Sequence, residues 1–177
     1  MIRITGGKNR SRKLVTPETT LTKPTMDKVR AAVFNALGNN LHNLEVLDLF
    51  CGSGSYGFEA LSRGASYVEF VDQTRFSKKA VLENATNLKE RNFKFVESEA
   101  LSYLIDTSAK FNIVFMDPPY KLEIIQKAIS IIEERHILDD NGIIVVECEH
   151  ELEFDVSQYK EVRHYKYGLA HIYLLRK

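Results

Sequence analysis

Val46-Leu47-Asp48-Leu49-Phe50-Cys51-Gly52-Ser53-Gly54-Ser55-Tyr56-Gly57-Phe58-Glu59-Ala60-Leu61 decides how the rest of the chain is read. A short apolar run carries one carboxylate, a glycine-rich turn follows, and the segment beyond it has a helical composition. That is strand, tight turn, helix. Glycine enters the left-handed region without steric cost and lets a ligand approach the backbone. The first amides of the following helix have no partner inside the helix, so they can face a ligand in a crevice. The spacing Gly52-x-Gly54-x-x-Gly57 also fits a dinucleotide fingerprint, so the stretch alone leaves several nucleotide-like ligands open.

A second stretch narrows the chemistry. Ile113-Val114-Phe115-Met116-Asp117-Pro118-Pro119-Tyr120 is an apolar strand that runs into two prolines. Proline removes the N–H donor and fixes φ. The loop therefore offers carbonyl oxygens and one carboxylate without competing backbone donors. Tyr120 adds a flat face. Acceptors beside an aromatic ring suit a planar base that carries an amine.

Outward from these two stretches, strand-like and helix-like segments alternate. Strands are expected over Glu45–Phe50, Tyr67–Val71 (ending at Asp72), Phe93–Val96, Phe111–Met116 and Ile143–Glu147. Helices are expected over Ser55–Arg63, Phe76–Leu88, Ala100–Ile105 and Leu122–Glu134. Phe76, Ala80 and Ala85 are read as one side of their helix, and Ile124, Ile125, Ala128, Ile131 and Ile132 as the inward side of theirs. This rhythm predicts a parallel sheet with helices on both faces. Val162–Tyr167 and His171–Leu175 are separated only by Gly168-Leu169-Ala170, too short for a crossover helix, so they should pair as an antiparallel hairpin.

The N-terminal part differs in character. Residues 1–30 hold eight basic residues against Glu18 and Asp27, a net of +6, which leaves −6 on the remainder of a chain with no net charge. Arg3, Lys8, Arg10, Arg12, Lys13 and Lys23 are interleaved with Gly6, Gly7, Asn9 and Ser11, and a flexible polar ribbon suited to nucleic-acid phosphates is expected. Short strands at Arg3-Ile4-Thr5 and Lys13-Leu14-Val15 fit within it. Pro17 and Pro24 bracket a threonine-rich linker, Thr25 is a good N-cap, and Met26, Val29, Val33 and Leu37 follow at helical spacing up to Gly38. Two parts result, a basic arm over 1–24 and one α/β domain over 25–177.

With 177 residues and 44% hydrophobic content, the chain has material for one core. No run of about 18 apolar residues or signal-type start is visible, which points to a cytoplasmic protein. Cys51 and Cys148 are expected as free thiols, and the five histidines lack metal-ligand spacing, so no metal is expected.

At the carboxyl ends of the strands, four features should meet: the Gly52–Gly57 turn, Asp72, the Ser98-Glu99-Ala100 corner and Asp117-Pro118-Pro119-Tyr120. Asp72 stands roughly 20 residues beyond the glycine turn, where an acid takes ribose hydroxyls. Glu99 suits an adenine amino group, although an acid at a helix N-terminus is equally expected there.

Asp48-Leu49-Phe50-Cys51-Gly52-Ser53-Gly54, Asp72 and Asp117-Pro118-Pro119-Tyr120 together resemble the class I S-adenosylmethionine-dependent methyltransferases that act on exocyclic amines. Arg3-Ile4-Thr5-Gly6-Gly7-Lys8, Arg10-Ser11-Arg12-Lys13-Leu14 and Lys23-Pro24-Thr25-Met26-Asp27-Lys28-Val29-Arg30-Ala31-Ala32-Val33-Phe34-Asn35 sharpen this. They resemble the bacterial RsmD-type 16S rRNA guanine-N2 methyltransferases over nearly the whole chain. Lys23, Ser11 and Glu99 stand where that family usually has Arg, Gly and Asp.

The resemblance implies a Rossmann-like fold with a seven-stranded, mostly parallel sheet and S-adenosyl-L-methionine as cofactor. Asp48, Phe50, Gly52, Ser53 and Gly54 would face its methionine part, Asp72 its ribose, and Glu99 and Ala100 its adenine, with Pro24 and Thr25 closing over it. Asp117, Pro118 and Tyr120 would receive the guanine, and the basic arm would contact 16S rRNA or an assembling 30S subunit, with the protein a monomer. An adenine-N6 DNA methyltransferase, a non-catalytic ribosome-assembly RNA-binding protein and a nicotinamide dehydrogenase are the competing readings.

Overall fold

The computed structural model describes residues 2–17, 27–118, 122–152 and 155–177. Two short strands, β1 (Ile2–Arg3) and β2 (Lys13–Leu14), pair antiparallel and precede helix α1 (Asp27–Leu37). The alternation follows: β3 (Glu45–Leu49), α2 (Ser55–Ser62), β4 (Tyr67–Asp72), α3 (Arg75–Leu88), β5 (Phe93–Glu97), α4 (Ala100–Asp106), β6 (Phe111–Met116), α5 (Leu122–Glu134) and β7 (Leu138–Cys148). It closes with β8 (Glu161–Tyr167) and β9 (Ala170–Arg176).

The large sheet has seven strands in the order β5-β4-β3-β6-β7-β9-β8. Pairings from β5 to β7 are parallel, and β9 is antiparallel to both β7 and β8. This is the expected parallel sheet with its antiparallel hairpin. β3 sits between β4 and β6, so the strand order reverses beside it, and the carboxyl ends at such a switch point are where open α/β sheets hold ligands.

Successive side chains of a strand point to opposite faces, and both faces are covered. On one face, Val46, Phe70, Phe115 and Val145 pack under α1, α2 and α3 with Phe34 and Phe58. On the other, Leu47, Leu49, Val114 and Ile144 pack under α4 and α5 with Leu104, Ile125 and Ile132. Strands buried on both sides read as the continuous apolar runs seen in the sequence.

Three expectations need correction. Phe76 is 53% exposed, whereas the buried side of α3 is Ser77, Ala80, Val81, Asn84, Ala85 and Leu88. Nine residues are two and a half helical turns, so Phe76 and Ala85 lie on opposite sides. β7 begins at Leu138, well before Ile143. The Asn141-Gly142 pair marks an irregularity inside the strand, where the register with β6 shifts between Phe111 and Ile113.

The third concerns the polar ribbon, which is docked and not loose. Ile2, Ile4 and Leu14 belong to the core beneath α1 and α2. Ile4 N–H donates to the Arg12 carbonyl at 3.0 Å, and Ser11 N–H donates to the Ile4 carbonyl at 2.8 Å. Glu59 of α2 is fully buried and accepts from the Thr5 N–H at 2.8 Å and the Thr5 hydroxyl at 2.7 Å. Arg30 and Arg63 complete its shell at 3.3 and 2.8 Å. Asn84 of α3 accepts from the Val15 N–H at 2.7 Å and donates to the Val15 carbonyl at 2.9 Å.

Candidate active site

β3 ends where its ladder with β4 makes one last bond, from the Cys51 N–H to the Val71 carbonyl at 3.1 Å. The chain then turns on left-handed residues: Phe50 (φ 63°), Gly52 (φ 52°) and Gly54 (φ 75°). Gly54 N–H donates to the Cys51 carbonyl at 2.7 Å, and Gly54 precedes α2 as its N-cap. A Cβ on Gly52 would meet no atom within 4 Å. The backbone there faces open space, the approach a ligand needs. Gly57 has a different reason to be glycine: a Cβ would lie 2.2 Å from Phe70 Cε1. Its absence lets α2 lie flat on β4.

Two carboxylates shape this turn. Asp48 is buried on β3 and accepts from the Gly57 N–H at 2.8 Å, which ties the strand to the first turn of α2. Burial pushes its carboxyl up to about 8, and Asp72 adds to the rise, against the Gly57 N–H and Arg30, which lower it. Asp72 ends β4, accepting from Gly52 N–H at 3.0 Å through one oxygen and from Thr74 N–H at 2.9 Å through the other. Each carboxylate oxygen has a second lone pair. Asp72 can therefore brace the turn and still accept from a ligand hydroxyl.

The neighbouring corner is built by α4. Glu99 is exposed and caps this helix, accepting from the Ser102 N–H at 2.8 Å and the Ser102 hydroxyl at 3.1 Å. Burial alone would raise its carboxyl, but the N–H groups of Ser102 and Leu101 outweigh this and hold it below the ordinary range. Ser98 N–H donates to the Asp72 carbonyl at 3.2 Å, which sets this corner beside the end of β4. Ala100, the first residue of α4, is buried. Ser53 is buried, and its carbonyl accepts from Asn84 Nδ2 at 3.0 Å.

β6 brings the proline loop to the same edge. Leu49 pairs with Met116, so the chain leaves β3 into the glycine turn just where it leaves β6 into Asp117 and Pro118. Asp117 is half-buried and Pro118 buried. The charge of Asp117 is felt at the Tyr56 hydroxyl and at the Cys148 thiol. Pro24, Thr25, Lys23 and Tyr120 lie outside the described residues. Arg3, Lys8, Arg10, Arg12 and Lys13 are exposed on the docked hairpin. Lys8 reaches Glu90 at 2.9 Å, and Arg12 Nη2 donates to the Asn87 carbonyl at 2.6 Å.

The sequence reading missed Tyr56, Glu147 and Arg30. The Tyr56 hydroxyl donates to Glu147 Oε2 at 2.7 Å. A signal for Glu147 existed: like Asp72, it is a carboxylate near the end of an apolar strand. Arg30 is fully buried, and its Nη1 has no hydrogen-bond partner among the described residues. Among those residues no group of three or more metal-ligating side chains occurs, and no helix is long and apolar enough to cross a membrane. Cys51 and Cys148 are free thiols.

A model of the family described as "Conserved hypothetical protein 95" matches residues 2–176. "Ribosomal RNA small subunit methyltransferase D" of Escherichia coli strain K12 is 38% identical over 150 residues, covering 85% of this chain and 76% of that one. "Putative rRNA methyltransferase YlbH" of Bacillus subtilis strain 168 is 32% identical over 182 residues and 99% of both chains. A solved structure described as "Putative methyltransferase yhhF from Escherichia coli" superposes with a TM-score of 0.88 at 33% identity, over 99% of this chain and 97% of that one.

Proposed function

The chain belongs to the Conserved hypothetical protein 95 family, and from that premise we propose that it methylates the exocyclic N2 amine of a guanine in 16S small-subunit rRNA, with S-adenosylmethionine as donor. The substrate is the free rRNA or the assembling 30S subunit, and the protein acts as a monomer. One observation carries the reading. The glycine turn and the Asp117-Pro118 rim leave adjacent strands side by side, joined by the Leu49–Met116 pairing. A donor pocket and an amine-accepting rim are then neighbours.

The residues fit the donor. Gly52 opens its backbone to the crevice, and Asp72 stands at the next strand end with lone pairs for ribose hydroxyls. Ser53 and Gly54 line the methionine end, and Glu99 with Ala100 flanks the adenine end. When bound, the donor would supply an electrophilic methyl group on a sulfonium, whose S–CH3 bond would break with the electron pair kept by sulfur, leaving a neutral thioether.

The protein's own task is positioning and electrostatics. A guanine N2 lone pair is delocalised into the ring and nucleophilically weak. The Asp117 carboxylate and the Pro118 carbonyl accept from the amine hydrogens, which turns the lone pair toward the methyl carbon. As the nitrogen–carbon bond forms, the surplus proton on N2 passes to the Asp117 carboxylate and on to solvent. The base must leave its stack to reach the rim, at a cost of a few kcal/mol that Tyr120 offsets by stacking. Arg3, Lys8, Arg10, Arg12, Lys13 and Lys23 supply phosphate contacts.

Asp117→Ala tests this reading. Methyl transfer to small-subunit RNA should fall at least about a thousandfold while donor affinity, read by calorimetry, stays within a few-fold. A fully active variant, or wild-type protein that methylates duplex DNA in preference to rRNA, overturns it.

A further inference from the structure

The β6–β7 register pairs Met116 with Val146, so Asp117, the first residue past β6, neighbours Glu147 near the end of β7. Glu147 is half-buried and lies on the side of the sheet toward α2. Its carboxylate is held by a residue of the glycine-turn helix itself: the Tyr56 hydroxyl donates to Oε2 at 2.7 Å. Tyr56 is 3% exposed, and its ring stacks on Phe115 at 4.7 Å between centroids. The ring has little freedom to turn, so the hydroxyl fixes the orientation of the carboxylate. Burial, with Glu147 and Asp117 beside it, pushes the Tyr56 hydroxyl well above its ordinary range, so it keeps its proton and donates.

Resting on the reading above, we propose that Glu147 is the specificity-determining residue for guanine, accepting from the N1–H and one N2–H of its Watson–Crick edge. The chemistry favours guanine for a simple reason. Guanine carries two donors side by side on that edge, and a carboxylate is an acceptor only. Adenine and 2-aminopurine present a lone pair at N1, which faces the carboxylate with repulsion and gains no bond. Of the two N2 hydrogens, one is shared between Glu147 and the Pro118 carbonyl, and the other is left for Asp117. Glu147 thus reads the base, Asp117 receives the amine, and Tyr56 positions Glu147 without touching the base.

The test uses the full-length protein and small-subunit RNA bearing guanine or 2-aminopurine at the nucleotide that the wild type methylates. 2-Aminopurine keeps the amine and loses the N1 hydrogen. Wild type should prefer guanine by at least about 100-fold in kcat/KM. Glu147→Gln offers an amide N–H to the N1 lone pair and should lower that ratio at least tenfold. Tyr56→Phe keeps the buried ring, should lower the ratio less, and decides the matter if the first variant does not fold. A ratio that stays at the wild-type value in the folded variants, with both substrates slowed equally, makes Glu147 merely structural and overturns the inference. Wild-type protein that methylates no guanine defeats the proposed function itself, and the base-reading role falls with it.

Discussion

The two antiparallel hairpins, β1–β2 and β8–β9, are held by opposite means. β8–β9 is an extension of the main sheet: β9 pairs with β7 from Ile143–Arg176 to Cys148–His171, and β8 pairs along the whole of β9. Ile172, Leu174 and Leu175 are buried in the two cores. His164 stacks on Tyr173 at 4.3 Å, and its Nε2 lies 3.0 Å from His171 Nδ1. β1–β2 has two residues in each strand and, among the described residues, pairs with no strand of the main sheet. A two-stranded ribbon of that size has little stability alone. It is held by Ile2, Ile4 and Leu14 in the core beneath α1 and α2, and by polar side chains of α1, α2 and α3, above all Arg30, Glu59 and Asn84. One hairpin is secured by a backbone ladder that tolerates many sequences. The other adds to three buried apolar residues a set of polar side chains that tolerate few substitutions.

The largest expected effect that separates them is Glu59→Ala. It leaves Arg63 without its carboxylate and Arg30 with Asp27 alone, and should destabilise the protein by about 3–5 kcal/mol, measured by urea unfolding. Protease cutting within residues 2–17 should accelerate at the same time. Ile172→Ala removes apolar volume under β9 and should cost roughly 2–5 kcal/mol, with residues 2–17 still protected. Asn84→Ala strips partners from both polar groups of Val15 and from the Ser53 carbonyl, a loss of about 1–3 kcal/mol. It should also weaken donor binding, because Ser53 lies in the glycine turn. Lys8→Ala, at a side chain 61% exposed, should change stability by less than about 1 kcal/mol. Equal losses of protection at both hairpins in any of the first three variants would dissolve the contrast.

The smallest expected difference is none, and pH supplies it. Asp48 lies in the central strand that both hairpins depend on. Its carboxyl titrates near 8 when folded against an ordinary value of 3.8, so between these values the native state holds a proton that the unfolded chain has released. Its contribution to stability is fully present below about pH 4 and declines as pH rises to about 8. Asp48→Asn should flatten that slope in urea titrations equally in wild-type, Glu59→Ala and Ile172→Ala backgrounds.

The sequence was most legible where local rules and long-range packing agree. β3 and its turn were legible because an apolar run, a glycine cluster and a helix start coincide. β8–β9 was legible because a three-residue gap between strand-like runs permits little else. The docking of β1–β2 was not, because its anchors are remote: Thr5 meets Glu59 across 54 positions, and Val15 meets Asn84 across 69. Glu59 and Asn84 each read as ordinary polar residues of a helix. Phe76 misled because its size suggested burial, while the phase of α3 turned it to solvent. At the site, Asp72 and Asp117 could be found as strand-end carboxylates. The Tyr56–Glu147 bond joins two segments 91 residues apart, and no spacing rule reports such a meeting.

The thiol of Cys51 has a further consequence. It is 6% exposed, and burial, with Asp48 and Asp72 nearby, holds its pKa well above the ordinary range. Only a thiolate reacts readily with iodoacetamide or a maleimide. In the closed turn this sulfur is both protonated and shielded, so each alkylation event waits for the turn to open. Its labelling rate is therefore a stopwatch on the breathing of the glycine loop, read out by mass spectrometry without any engineered probe.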